Sequence, residues 1–167
     1  VTLLKTCSTE IMQSVMNSLK TPSNITRRDC IAAAIAATLV GLKPTASAAN
    51  VANAPARILV IGDSLSAEYG LKRGSGWVAL LEKKLLDEKV PALVVNASIS
   101  GDTTSGGLTR LNPLLAQHKP SLVVIELGGN DALRGLSLEM TRTNLVKMTR
   151  TAQRAGARVL LLGMQMP

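Results

Sequence analysis

The stretch that decides the fold is residues 57–66, which read Arg-Ile-Leu-Val-Ile-Gly-Asp-Ser-Leu-Ser. Its first five residues form a short apolar run rich in β-branched side chains, and Gly62 ends that run. Such a run predicts a strand buried on both faces, as in a parallel sheet covered by helices. The small polar residues that follow then lie at the carboxyl end of the strand, where open parallel sheets place their functional sites.

The same strand signal recurs three times further along the chain. Apolar runs predict strands over 92–95, 121–127 and 158–162. Apolar residues spaced by three and four predict helices between the strands, over 77–90, 108–118 (with Pro113 as a kink or start) and 138–155. Four strands joined by three helices form βαβ units. We therefore expect a three-layer α/β/α fold with a parallel, flavodoxin-like sheet.

Residues 1–48 have the layout of an export leader. Arg27-Arg28 precede an apolar run at 31–42, and a small-residue stretch includes Ala46-Ser47-Ala48. Positive residues, an apolar run and an A-x-A site are the parts of a secretory signal peptide, and the arginine pair resembles a twin-arginine signal. The alternative is a buried alanine-rich helix. We expect 1–48 to be a leader that engages the twin-arginine or general export machinery, and 49–167 to be a periplasmic or secreted domain.

Composition argues against several function classes. Aromatic residues make up only 1% of the 167 residues, which leaves few stacking platforms for nucleic acid. Two cysteines and one histidine cannot build a zinc cage. The run at 31–42 is shorter than the ~20 residues that a membrane-spanning helix needs. The basic side chains of 49–167 are scattered, so they favour at most a weak membrane-surface contact.

Polar clusters follow the first three predicted strands, at 62–66, 98–102 and 128–131. In a parallel sheet they share one edge, where they supply a hydroxyl, backbone N–H donors and a side-chain amide, which are parts of an acyl-transfer site. Each cluster alone also fits an ordinary turn or helix cap. In either case we expect Asp102 to be a cap, and Asp63 and Asp131 to form turns or hydrogen-bond networks.

The three clusters resemble the conserved blocks of the GDSL, or SGNH, hydrolase family. The sequence Gly-Asp-Ser-Leu-Ser at 62–66 is similar to the first block. Asn-Ala-Ser-Ile-Ser-Gly-Asp-Thr at 96–103 is similar to the second, and Glu-Leu-Gly-Gly-Asn-Asp at 126–131 to the third. The strings are most similar to those of the periplasmic bacterial thioesterase/lysophospholipase/arylesterase group. The resemblance covers residues 57–167.

The resemblance implies a serine ester hydrolase that forms an acyl-enzyme and uses no metal or cofactor. Ser64 matches the family's nucleophile. The backbone N–H groups of Ser64 and Gly101 and the side-chain amide of Asn130 match its oxyanion donors. One such donor is typically worth ~10²–10³ in rate. The implied partner is a small-molecule acyl ester or thioester, and no nucleic acid.

The family's general base and acid lie in an Asp-x-x-His block, which the 167 residues do not contain. His118, the single histidine, precedes the third strand, and residues 121–127 span about 23 Å at ~3.3 Å per residue. We therefore expect His118 to be a helix-end surface residue at the edge of the sheet opposite Ser64. The resemblance also implies that the domain is incomplete at its C-terminus, lacking the last strand and helix, and that this chain is inactive.

Two alternatives to an ester hydrolase remain open at this point. The Ser/Thr/Gly-rich segment 98–107 could cradle a phosphate, which would make the chain a flavodoxin-like phosphate- or nucleotide-binding module. The chain could also be a non-catalytic fragment that does not fold stably.

Overall fold

A computed structural model of the protein describes residues 2–20 and 55–163. The strands are β1 (Ala56–Gly62), β2 (Ala92–Asn96), β3 (Leu122–Glu126) and β4 (Arg158–Leu161). The helices are α1 (Thr2–Lys20), α2 (Trp77–Asp87), α3 (Thr104–His118), α4 (Gly129–Leu133) and α5 (Leu138–Arg154). Within these residues no helix is long and apolar enough to cross a membrane.

The four strands form one parallel sheet in the order β2-β1-β3-β4. This is the start of the flavodoxin-like strand order, so the predicted sheet is confirmed. The central strands β1 and β3 carry the longest apolar runs, and both of their faces are buried. The outer strands β2 and β4 are only partly buried, and Leu93 and Leu161 are each half exposed.

Helices cover both faces of the sheet, which confirms the three-layer fold. One face of β1 and β3, with Ile58 and Val124, packs against α1 and α2. The opposite face, with Ile61 and Val123, packs against α3 and α5. Because successive strand residues point to opposite faces, an uninterrupted apolar run is what two covered faces require.

Helix α1 was not predicted from the sequence. Its buried residues Val15 and Met16 belong to the same core cluster as Trp77 of α2, with the partly buried Ile11, Met12 and Leu19 packed against it. These five apolar residues recur at helical spacing, which was the available signal. The export features predicted between Arg27 and Ala48 lie outside the described residues.

The helices between the strands differ from expectation at two places. Helix α4 occupies 129–133, where no helix was predicted. Pro113 lies inside α3 instead of starting it, because α3 begins at Thr104. Thr103 caps that helix by accepting a hydrogen bond from Gly106 N at 3.3 Å.

Gly107 sets how closely α3 approaches the rest of its layer. A Cβ atom at this position would lie 2.4 Å from Leu127 Cδ1 and 3.2 Å from Met148 Cε. We expect Gly107→Ala to lower the free energy of unfolding by about 1–3 kcal/mol, because overpacking outweighs alanine's better helix propensity. Urea unfolding followed by circular dichroism measures this. The exposed Ser105→Ala on the same helix is the control, and an equal loss in both variants would contradict the packing argument.

Candidate active site

The three polar clusters meet at the carboxyl edge of the sheet. Asn130 joins them, because its Nδ2 donates to Asp63 Oδ2 at 3.0 Å and to the Asp102 carbonyl at 2.9 Å. A backbone hydrogen bond from Ile99 N to Gly62 O, 3.0 Å long, ties the second cluster to the end of β1. The clusters that were predicted to share an edge are therefore linked by direct hydrogen bonds.

Ser64 lies half-buried in the turn that follows β1. The turn is held by Asp63, which is only 3% exposed. Asp63 Oδ1 accepts from Leu65 N at 3.1 Å, and its Oδ2 accepts from Asn130. Asp63 thus closes a turn around Ser64 and connects it to the third cluster. This confirms the prediction that Asp63 forms a turn and a network.

Gly101 adopts the left-handed conformation, with a φ of 79°. A Cβ atom would meet only Arg134 Nη2, at 3.6 Å, so within the described residues the backbone conformation is what favours glycine. Arg134 Nη2 also donates to the Gly101 carbonyl at 2.8 Å, which holds that peptide at the edge of the site.

Asp102 is not the helix cap that was expected. The cap of α3 is Thr103, and Asp102 instead forms an ion pair with Arg110, in the second turn of α3. Its Oδ2 lies 2.7 Å from Arg110 Nη2 and accepts from Nε at 2.8 Å. Arg110 Nη1 also donates to the Ala97 carbonyl. The guanidinium therefore fastens both ends of the second cluster to α3, a role that needs the fold to bring residues 97 and 110 together.

Asp131 is a buried network residue, as predicted, with an exposure of 1%. Its carboxylate accepts from Thr104 N at 2.9 Å, Thr104 Oγ1 at 2.5 Å and Thr141 Oγ1 at 3.2 Å. Asn144 Nδ2 donates to Thr104 Oγ1 at 3.1 Å. The network joins the N-terminus of α3 to α5 through Asp131, the residue that follows Asn130 in the third cluster.

Glu126 was quoted in the third block but given no role, and it is buried under the Ser64 turn. It is 3% exposed, and its Oε2 accepts from Ser66 Oγ at 2.8 Å and from Asp63 N at 3.4 Å. Burial raises the pKa of the Glu126 carboxyl from 4.5 to about 7, with a smaller upward contribution from the Asp63 charge. The available signal was an acidic residue at the end of an apolar strand.

The raised pKa of Glu126 predicts a pH-dependent stability. A carboxyl whose folded-state pKa is above its unfolded value stabilises the fold fully below pH 4.5 and loses that contribution as the pH rises through about 7. The loss is on the order of 3 kcal/mol, at ~1.4 kcal/mol per pKa unit. We expect Glu126→Gln to flatten the decrease in unfolding free energy between pH 4.5 and 8, measured by urea denaturation. Glu82→Gln, at an exposed glutamate of α2, should leave the decrease unchanged, and the same slope in Glu126→Gln would refute the assignment.

His118 ends α3 at the opposite edge of the sheet. Its carbonyl accepts from Arg57 Nη1 at 3.2 Å, and Arg57 stands at the start of β1, whereas Ser64 follows the end of that strand. The predicted separation of His118 from Ser64 is confirmed. Within the described ranges 2–20 and 55–163, no group of three or more His, Cys, Asp or Glu side chains could hold a metal ion.

The sequence profile of the GDSL-like Lipase/Acylhydrolase family matches residues 60–167. The chain belongs to this family. The match begins inside β1 and contains all three polar clusters, so the GDSL-like part of the chain is the part that carries the candidate site. Helix α1 lies outside it.

Two curated proteins are similar to this chain over about two thirds of its length. Esterase TesA of Pseudomonas aeruginosa is 59% identical over 110 residues, which are 66% of this chain and 55% of that protein. Thioesterase 1/protease 1/lysophospholipase L1 of Escherichia coli is 44% identical over 110 residues, 66% of this chain and 51% of that protein. The chain spans about half the length of the curated relatives it matches.

Solved structures agree with the family assignment. The crystal structure of the psychrotrophic esterase EstA from Pseudoalteromonas, inhibited by monoethylphosphonate, matches with a TM-score of 0.64 and 45% identity. The match covers 66% of this chain and 61% of EstA. This chain is therefore similar to an esterase in sequence as well as in fold.

Proposed function

We propose that this chain carries the nucleophile and oxyanion side of a serine ester hydrolase. The observation that supports this best is Asn130, whose amide bonds to Asp63 beside Ser64 and to Asp102 beside Gly101. Asn130 matches one of the family's oxyanion donors, and its amide thereby links the segments that hold the other two matching residues, Ser64 and Gly101. The esterase and thioesterase names of the relatives support the same reaction class.

In the proposed reaction, Ser64 Oγ attacks the acyl carbonyl carbon and loses its proton to a general base. The carbonyl oxygen becomes an oxyanion, which the N–H groups of Ser64 and Gly101 and the Asn130 amide stabilise. The base then protonates the departing alcohol or thiol, and water hydrolyses the acyl-enzyme by the reverse sequence of proton transfers. The Asn130 amide already donates to Asp63 and to the Asp102 carbonyl. One of its N–H groups must therefore either leave its present acceptor or bond to that acceptor and the oxyanion together.

The general base is proposed to come from an Asp-x-x-His block that the 167 residues do not contain. His118 cannot substitute, because a base must come within ~3 Å of the proton it removes, and His118 lies at the other edge of the sheet. The 167 residues by themselves are therefore expected to be inactive.

A chimera tests the proposed reaction. The part of Esterase TesA that follows the matched region is joined after Pro167, and p-nitrophenyl ester turnover is compared with that of the 167-residue chain. We expect turnover by the chimera and none above background by the chain alone. A folded chimera without turnover would contradict an ester hydrolase. Turnover by the chain alone that Ser64→Ala abolishes would contradict the proposed source of the base.

The substrate is proposed to be a small acyl ester or thioester with an apolar acyl group. Exposed apolar side chains lie within or close to the three clusters: Leu65 and Ile99 are about half exposed, and Leu133 is 76% exposed. A phosphate ligand is less well supported, because N–H groups at the start of α3 already have partners. Thr104 N donates to Asp131 and Gly106 N donates to Thr103. Titration with flavin mononucleotide should accordingly give no saturable binding.

Residues 1–48 are proposed to be an export leader, so that a domain of 49–167 is periplasmic or secreted. This rests on the sequence alone, and α1 provides a sharp test, since cleavage after Ala48 would remove Val15 and Met16 from the core. Mass spectrometry of the chain recovered from the periplasm of an expressing bacterium should find Ala49 at its N-terminus. Recovery of an exported chain that retains α1 would contradict cleavage.

A further inference from the structure

A single buried carboxyl touches the residues on both sides of Ser64. Glu126 Oε2 accepts from Asp63 N, directly before Ser64, and from Ser66 Oγ, two residues after it. Ser66 Oγ in turn accepts from Trp77 Nε1 at 3.0 Å. The chain of hydrogen bonds runs from α2 through the turn to the end of β3. Among the described residues Glu126 Oε1 has no hydrogen-bond partner.

We propose that Glu126 is a positioning residue for the nucleophile turn, residues 63–66, which it holds more tightly when its carboxyl is ionised than when it is protonated. The proposal rests on the proposed function in one respect, that Ser64 in this turn is the nucleophile. It assigns Glu126 no contact with substrate. Its action passes through Asp63 and Ser66.

The physical reason is that both bonds to Oε2 have Glu126 as acceptor. A carboxylate accepts hydrogen bonds about twice as strongly as a neutral group. Ionisation therefore shortens the bonds from Asp63 N and Ser66 Oγ. It also polarises the Ser66 hydroxyl, which makes Oγ a better acceptor for the Trp77 indole N–H.

The residues around Glu126 shift the ionisation of its carboxyl towards neutral pH. The neighbouring strand β1 and the turn present the Asp63 carboxylate and the neutral Ser66, and α2 presents the neutral Trp77. On the other side, Leu161 of β4 and the residue after it, Leu162, lie along β3. Burial and the Asp63 charge raise the pKa of Glu126, whereas the Ser66 hydrogen bond lowers it. The carboxyl therefore changes charge near neutral pH.

The chain offers a direct reporter of this change, because Trp77 is its single tryptophan. Its indole N–H gives one identifiable resonance in a ¹H–¹⁵N spectrum. In the 167-residue chain we expect the Trp77 indole proton and the Asp63 amide proton to move downfield as the pH rises, with one shared midpoint near 7. The Ser64 and Leu65 amide resonances should change with the same midpoint.

Three variants decide the proposal. Glu126→Gln should abolish all these pH-dependent shifts. Ser66→Ala should abolish the Trp77 response but leave that of Asp63, with a midpoint moved to higher pH because a hydrogen bond to the charged form is lost. Ser64→Ala should leave the Trp77 and Asp63 shifts unchanged, since the Ser64 side chain is not a link in this chain of hydrogen bonds.

The proposal would be overturned if the Trp77 indole and Asp63 amide resonances of the wild-type chain did not share a titration midpoint. It would also be overturned if the pH-dependent shifts persisted in a folded Glu126→Gln variant. If Glu126→Gln does not fold, the wild-type titration and Ser66→Ala still decide between the outcomes. The result is also distinct from the esterase test. An inactive chimera with the expected titration would refute Ser64 as nucleophile and leave Glu126 as the residue that holds the turn. An active chimera without the titration would refute only the role of Glu126.

Discussion

Ser64→Ala is expected to lower kcat of the TesA chimera for p-nitrophenyl esters by about 10⁴–10⁶, to the level supported by binding and the oxyanion donors alone. The reason is that alanine offers no oxygen to form the acyl-enzyme, so the only remaining route is direct attack by water. Removing an oxyanion donor, in contrast, leaves Ser64 able to form the acyl-enzyme. Asn130→Ala should therefore cost less, about 10²–10³.

Steady-state turnover and labelling with a fluorophosphonate measure this loss together. The structure of EstA inhibited by monoethylphosphonate supports the choice of a phosphonate-type probe. Ser75→Ala, at an exposed loop serine, is the matched control and should retain both activity and labelling. Unchanged circular dichroism separates a chemical effect from unfolding. Labelling that survives in Ser64→Ala would place the nucleophile elsewhere.

Asp131→Ala is expected to lower the free energy of unfolding by about 3–5 kcal/mol, because it removes the acceptor of two buried donors at the start of α3. The donors are Thr104 N and Thr104 Oγ1, whereas Thr141 Oγ1 keeps the Ser137 carbonyl as an acceptor. The carboxylate also lies at the N-terminus of α3, where negative charge is favourable. A small domain is stable by only ~5–15 kcal/mol, so this loss is a large fraction of the total.

Urea unfolding of the 167-residue chain measures this second effect. The matched control is Asp87→Ala, which removes an aspartate whose ion pair with Lys83 is exposed, with side-chain exposures of 60% and 68%. Exposed pairs of this kind typically contribute less than ~1 kcal/mol. A loss in Asp131→Ala no larger than that in Asp87→Ala would show that the buried network adds little to stability. Asp131→Asn should fall between the two, since its amide retains one accepting oxygen.

The local patterns of the sequence were sufficient for the elements that build the sheet. The strands at 57–61 and 121–127 are apolar without alternation, and the structure buries both faces of β1 and β3. The three clusters could be assigned to one edge because parallel strands end on the same side. The hydrogen bonds of Asn130 to Asp63 and Asp102 join these clusters as that argument requires.

Local patterns were insufficient where a residue's role depends on a distant partner. Asp102, close to the start of a helix, was predicted to be a cap. In the structure it forms an ion pair with Arg110, and Thr103 is the cap. Helix α1 lies far from the sheet in sequence, and its contribution becomes visible only when Val15 and Met16 reach the core.

The sequence by itself determined the α/β architecture, the family and the three clusters, because strand and helix periodicity and short polar blocks are local properties of the chain. Only the tertiary structure decided what the charged residues around those clusters do. In the sequence, Glu126 is simply the acidic residue at the end of an apolar strand. In the folded chain its pKa is raised by burial, and its carboxyl accepts hydrogen bonds from Ser66 and Asp63. Desolvation and hydrogen bonding between residues some sixty positions apart exist only in the folded chain, so no local pattern contains them.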